Sequence, residues 1–184
     1  MRNLCNFLIF QAGWFACVLG AGNGLWWLGP AVALPALALH LSCTPDPRRE
    51  SLLLVTATLL GTLADAIQAG LGLIAFPRAP LHLVWLPLWI PALWLLFATT
   101  FNASLLWVLR RPWLAALLGA AGGPLSYLAG ERLAALRMGP DPRLSLAVLA
   151  ITWAVLMPTL AWLRSELCPP REGAAPRPTG SARP

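Results

Sequence analysis

The chain has 184 residues, 58% of them hydrophobic and only 11% charged, with ten tryptophans and a formal net charge of +6. Soluble domains of this size carry about 25% charged residues, so the composition excludes an ordinary water-soluble enzyme and points to a multi-spanning helical membrane protein. The positive charge comes from thirteen arginines and no lysine; they lie mainly in short links between apolar runs, where they set orientation, and nucleic acid is not expected as a partner.

Continuous apolar segments of membrane-spanning length occur six times, at about 4–24, 25–43, 51–76, 87–109, 113–130 and 144–163. The expected fold is therefore an all-α bundle of about six transmembrane helices occupying residues 1–165. In the first segment, Asn6 and Gln11 interrupt the apolar run and no small-x-small cleavage site follows, so it reads as a retained helix rather than a signal peptide. Both polar residues lie on or beside the face of Gly13, Cys17 and Gly20 and are secondary site candidates. The second segment opens on Trp26 and Trp27, a pair suited to anchoring at the outer interface.

The third segment, SLLLVTATLLGTLADAIQAGLGLIAF, carries Asp65 near its middle. An aspartate at a helix centre in a bilayer costs roughly 2.5–3.5 kcal/mol, so it must face protein or water and is a functional candidate by default. On a helix, Thr58, Gly61, Thr62, Asp65, Gln68 and Gly72 fall on one stripe that should face the bundle interior.

Residues 81–109 are too long for one untilted crossing. Pro87 and Pro91 disfavour regular helix before them, which places Trp85 and Trp89 on an interfacial or re-entrant approach and starts the span near Pro91. Thr99, Thr100, Asn102 and Ser104 then fall near the depth of Asp65, predicting a shared polar layer. The fifth segment supplies Gly119, Gly122, Ser126, Tyr127 and Gly130, with Pro124 expected to free the carbonyl of Ala120. Glu131 and Arg132 end it, and Glu131 is a secondary candidate for acid–base chemistry at a lipid head group. The tail, 166–184, is Pro-rich, basic and without apolar periodicity, and is expected to be disordered.

Placing both termini in the cytoplasm puts nine arginines inside and four outside, the sense required by the positive-inside rule. Cys5, Cys43 and Cys168 then lie at the inner ends of helices and Cys17 within the membrane, so no disulfide is expected. No Cys-x-x-Cys or His/Cys cluster is present, and neither a metal site nor a cofactor is predicted. The candidate substrate-binding or proton-carrying set is Asp65 with Gln68, Asn102, Ser126 and Tyr127.

The opening NFLIFQAGWFACVLGA, the central LHLVWLPLWIPALWLLFATTFNASLLWVL and the later GAAGGPLSYLAGERL resemble a bacterial inner-membrane family catalogued as domain of unknown function 2878, over about residues 3–165. The resemblance implies an integral membrane protein without an established activity, from a family associated with gene neighbourhoods of lipid-modifying enzymes of the cyclopropane-fatty-acid-synthase type. With the absence of any soluble domain, it favours action on or alongside membrane lipids through a polar midplane cavity around Asp65. A small proton-coupled transporter and a noncatalytic scaffold for a neighbouring lipid-modifying enzyme are the alternatives.

Overall fold

The computed structural model describes residues 2–77, 82–83 and 86–169, with backbone alone at 2, 82 and 83. The tail from residue 170 onward, Trp85 and the His82 side chain lie outside the described residues. Among the described residues there are seven helices: α1 (Arg2–Gly22), α2 (Leu28–Ser42), α3 (Pro47–Gly70), α4 (Trp89–Ala98), α5 (Leu106–Leu109), α6 (Pro112–Arg132) and α7 (Pro142–Leu167). Four of them, α1, α3, α6 and α7, are long and apolar enough to cross a membrane.

Two helices start on the same local signal. In each Pro-Asp-Pro triplet the aspartate is the N-cap and the second proline the first helical residue, where its missing N–H costs nothing. Asp46 accepts from the backbone N–H of Arg49, and Asp141 from those of Arg143 and Leu144. Helix α3 therefore begins at Pro47, so the tail of TPDPRRE is its first turn rather than a loop. It ends at Gly70, and Gly72 turns the chain away with φ of 71°, a conformation that side-chain-bearing residues rarely adopt.

The fourth predicted span is divided. Helix α4 starts at Trp89, earlier than expected, because Pro91 falls in its first turn, where the backbone N–H groups have no helical partners. It stops at Ala98, and residues 99–105 form consecutive turns before α5. The cause is local: the Thr99 and Thr100 hydroxyls donate to the carbonyls of Leu96 and Phe97, three residues back, competing with the helical ladder. Trp89, the first residue of α4, is buried against the rest of the bundle.

Short α4 is the hub. It packs against α1, α2 and α3, while α3 also meets α7, and α7 pairs along its length with α6. Its residues are buried on every side, including Trp89, Ile90, Trp94 and Leu96, as befits a helix apolar all round. Around this hub the long helices turn large apolar side chains outward. Leu52, Val55, Leu59, Leu63 and Ile67 form an exposed stripe on α3, opposite the buried Gly61, Asp65 and Gln68. Apolar outside and polar inside is the arrangement a lipid solvent selects.

The bundle has two ends. At the distal end, β1 (Ile74–Ala75), following α3, pairs antiparallel with β4 (Arg137–Met138), following α6. A second ribbon joins β2 (His82–Leu83) to β3 (Leu86–Pro87). At the proximal end, the start of α1 bonds to residues 99–104, and the ends of α2 and α7 converge on the start of α3.

Candidate functional site

Asp65 lies five residues from the distal end of α3, about 8 Å at 1.5 Å per residue, and is 2% exposed. Trp94 of α4 donates its indole N–H to Oδ2 at 2.8 Å. Tyr127 of α6 donates its hydroxyl to Oδ1. Both carboxylate oxygens are thus engaged by neutral donors from two different helices.

The same device seats both partners. Gly61 stands four residues before Asp65, on the same helix face, and a Cβ there would lie 2.1 Å from the Trp94 ring. Gly123 stands four residues before Tyr127, and a Cβ there would lie 2.3 Å from Trp153 of α7. Each glycine lets an indole lie flat against a helix backbone. The two rings then stack on one another, with centroids 5.1 Å apart and planes 18° from parallel, and Phe97 meets both rings at steep angles. The aromatic wall and the carboxylate form one packed unit.

Above this unit opens a cavity of about 460 Å³, within the usual size range of small-molecule pockets. Phe10, Gln11, Trp14 and Phe15 of α1 form one side, and Leu118, Gly122, Leu125 and Ser126 of α6 the other. Trp89, Ile90, Leu93 and Phe97 of α4 supply the floor, with Trp153 and Met157 of α7 beyond. Across the mouth, the Trp14 indole N–H donates to Ser126 Oγ at 3.2 Å. Phe15, Leu118, Gly122 and Leu125 are both cavity-lining and exposed, so the cavity opens sideways between α1 and α6.

Of the predicted site residues, Asp65, Ser126, Tyr127 and Gln11 share this cavity. Gln68 is buried but does not line it; its Nε2 donates to the Ala64 carbonyl at 3.4 Å and its Oε1 has no partner among the described residues. Asn102 is not at the depth of Asp65. The break at 99–105 carries it to the proximal end, where its Nδ2 donates to Glu50 Oε2 at 2.8 Å. Glu50 and Asp65 are fifteen residues apart on α3, about 22 Å by helical rise, so the shared polar layer is replaced by two separate centres.

Asn6 is also proximal, donating to the Thr99 carbonyl at 3.1 Å and accepting from the backbone N–H and the hydroxyl of Ser104. Glu131 is committed to the fold: its Oε1 accepts from the backbone N–H of Met138 at 2.7 Å, fastening β4 to the end of α6.

The proximal centre is built on Glu50, 4% exposed. His40 Nε2 lies 2.8 Å from its Oε1, and Arg164 of α7 donates its Nε–H to Asn102 Oδ1 at 2.6 Å, reaching Glu50 through the amide. Cys5, His40, Cys43, Glu50 and Asn102 line a smaller cavity of about 220 Å³. Beside it, burial raises the pKa of the Cys168 thiol, which favours the unreactive thiol at neutral pH. Among the described residues no group of three or more His, Cys, Asp or Glu side chains is placed to hold a metal ion.

Glu50, Trp94, Trp153 and Trp14 are the participants that sequence reasoning missed. For Glu50 a signal existed, since the Asp46-Pro47 start places it in the first turn of α3, four residues before Leu54 on the buried face. For the tryptophans, the glycines at Gly61 and Gly123 marked where a large ring could approach, but not which of the ten rings would.

No curated protein and no solved structure shows significant similarity to the chain. Over residues 3–159, most of its length, it matches the family model described as Protein of unknown function (DUF2878), and the chain belongs to that family.

Proposed function

We propose that this membrane protein acts on or alongside membrane lipids, taking a lipid-like amphiphile from the bilayer through the gap between α1 and α6. The observation that carries the reading is a single cavity joining a lipid-facing mouth, at Phe15, Leu118, Gly122 and Leu125, to a buried carboxylate, Asp65. An apolar wall with a few convergent polar groups is the usual make-up of a small-molecule site, and a lateral mouth suits an occupant that is already dissolved in lipid. Asp65 is the acceptor for the polar group, Trp94 and Tyr127 hold it in place, and Ser126 and Gln11 are further hydrogen-bonding groups along the path. The arginine distribution supports a proximal end facing the cytoplasm, in a bacterial inner membrane as the family resemblance implies.

The test is the lipid profile of cells lacking the gene, complemented with wild type or with Asp65→Asn. A lipid species lost in the deletion and restored only by wild type is the expected result. Restoration by both proteins would sink the role of Asp65 and favour a scaffold for a lipid-modifying enzyme.

A second reading, proton-coupled transport, is supported by the second buried carboxylate. Glu50 and Asp65 lie on the buried side of one helix near its two ends, and each faces a cavity. Substrate-driven proton movement in proteoliposomes, abolished in both Asp65→Asn and Glu50→Gln, would select this reading over the first.

A further inference from the structure

The charge balance and aromatic lining of the Asp65 cavity define its occupant more narrowly than "lipid-like". Among the described residues, no arginine or histidine lines it, and the two groups bonded to Asp65 are neutral donors. A carboxylate offers about four lone-pair sites, of which these bonds use two, and a buried charge is strongly disfavoured without a partner of opposite sign. The surrounding surface is aromatic: Trp14, Trp94, Phe97, Tyr127 and Trp153 all face the cavity. A carboxylate set among indole and phenol rings matches the recognition of ammonium groups, which are drawn both to the charge and to the ring faces.

The same features exclude other heads. A fatty-acid carboxylate or a phospholipid phosphate would bring a second negative charge toward Asp65 with no cation to receive it. The mouth allows an apolar chain to continue outward at Gly122, where an added Cβ would meet nothing within 4 Å.

We infer that the cavity is a site for a long-chain amine, its ammonium group held by Asp65 within the tryptophan and tyrosine wall and its chain running out between α1 and α6 past Gly122. This rests on the reading that the cavity receives a membrane amphiphile.

The experiment is a fluorescence titration of the intrinsic tryptophans, using the full chain in nanodiscs and empty nanodiscs as the partition control. Three probes of equal chain length are compared: dodecylamine, dodecanol and dodecanoate. In wild type the amine should bind at least about tenfold more tightly than the alcohol, equivalent to about 1.4 kcal/mol, and dodecanoate should bind most weakly. In Asp65→Asn the amine should fall to the level of the alcohol, whose own binding is retained. Gly122→Leu should weaken amine and alcohol alike.

Equal binding of amine and alcohol by wild type, or tightest binding of dodecanoate, would overturn the ammonium assignment while leaving the pocket intact. Failure of all three probes to bind, or indifference of amine and alcohol binding to Gly122→Leu, would overturn the pocket itself. The wild-type comparison decides the head-group question even if Asp65→Asn fails to fold.

Discussion

Removing the Trp94–Asp65 hydrogen bond tests whether this pair is an organised site or ordinary interhelical adhesion. Hydrogen bonds between membrane helices average only about 0.6 kcal/mol in double-mutant cycles, with a maximum near 1.7, whereas bonds to a charged group in folded proteins contribute about 1.5–3 kcal/mol. The bond is 2.8 Å long, and its partners are 4% and 2% exposed, so little water reaches it. The Trp94 ring is held between Gly61 and Trp153, so the N–H has little freedom to find another acceptor.

The perturbation is Trp94→Phe, Asp65→Ala and the double variant, with stability measured by SDS-induced unfolding from mixed micelles. Trp94→Phe alone should cost about 2–4 kcal/mol, combining the lost charged hydrogen bond with about 0.5–1.5 kcal/mol of lost ring stacking. The packing loss also occurs in the Asp65→Ala background and cancels in the cycle. The coupling energy is therefore expected at about 1.5–2 kcal/mol, above the membrane average. A coupling at or below about 0.6 kcal/mol would refute the reasoning and reduce Asp65 to one more polar contact between helices.

Three further outcomes follow from the geometry. Gly61→Ala should destabilise by about 1–3 kcal/mol through overpacking against Trp94, whereas Gly122→Ala, where the new methyl meets nothing, should stay within about 0.5 kcal/mol; the same unfolding assay compares them, and equal effects would contradict the placement of the cavity. Glu50→Ala should cost about 1–3 kcal/mol because it strands the half-buried groups of His40 and Asn102, and thermal unfolding should show Glu50→Gln losing less. A membrane-impermeant maleimide should label exposed Cys5 and Cys43 from the cytoplasmic side only and spare buried Cys17; labelling of Cys5 from the opposite side would reverse the proposed orientation.

Much of the site could be read from residue types, because the bilayer makes certain residues conspicuous. An aspartate in an apolar run has few tolerable surroundings, so Asp65 pointed inward before any neighbour was known, and helical spacing alone put Gly61 and Gln68 on its face. Tyr127 and Ser126 were legible for the same reason, as polar groups in a glycine-rich span. Gln68 shows the limit of that logic: sharing a face with Asp65 placed it inside the bundle but not in the cavity. Asn102 shows another. Its depth was reckoned along an unbroken helix, and two threonine hydroxyls that bond back to their own backbone ended that helix at Ala98.

By itself the sequence determined that the chain is helical and built for lipid, and that the carboxylate in the third apolar run would face the bundle interior. Those properties follow from hydrophobicity and helical period, both of which act locally along the chain. Only the tertiary structure decided that Trp94 and Tyr127 would hold Asp65, that Glu50 and Asn102 would form a separate centre about 22 Å away along α3, and that the cavity would open between α1 and α6. Those outcomes depend on which helix lies against which glycine, and a spacing of four residues specifies a place for a ring without specifying the helix that brings it.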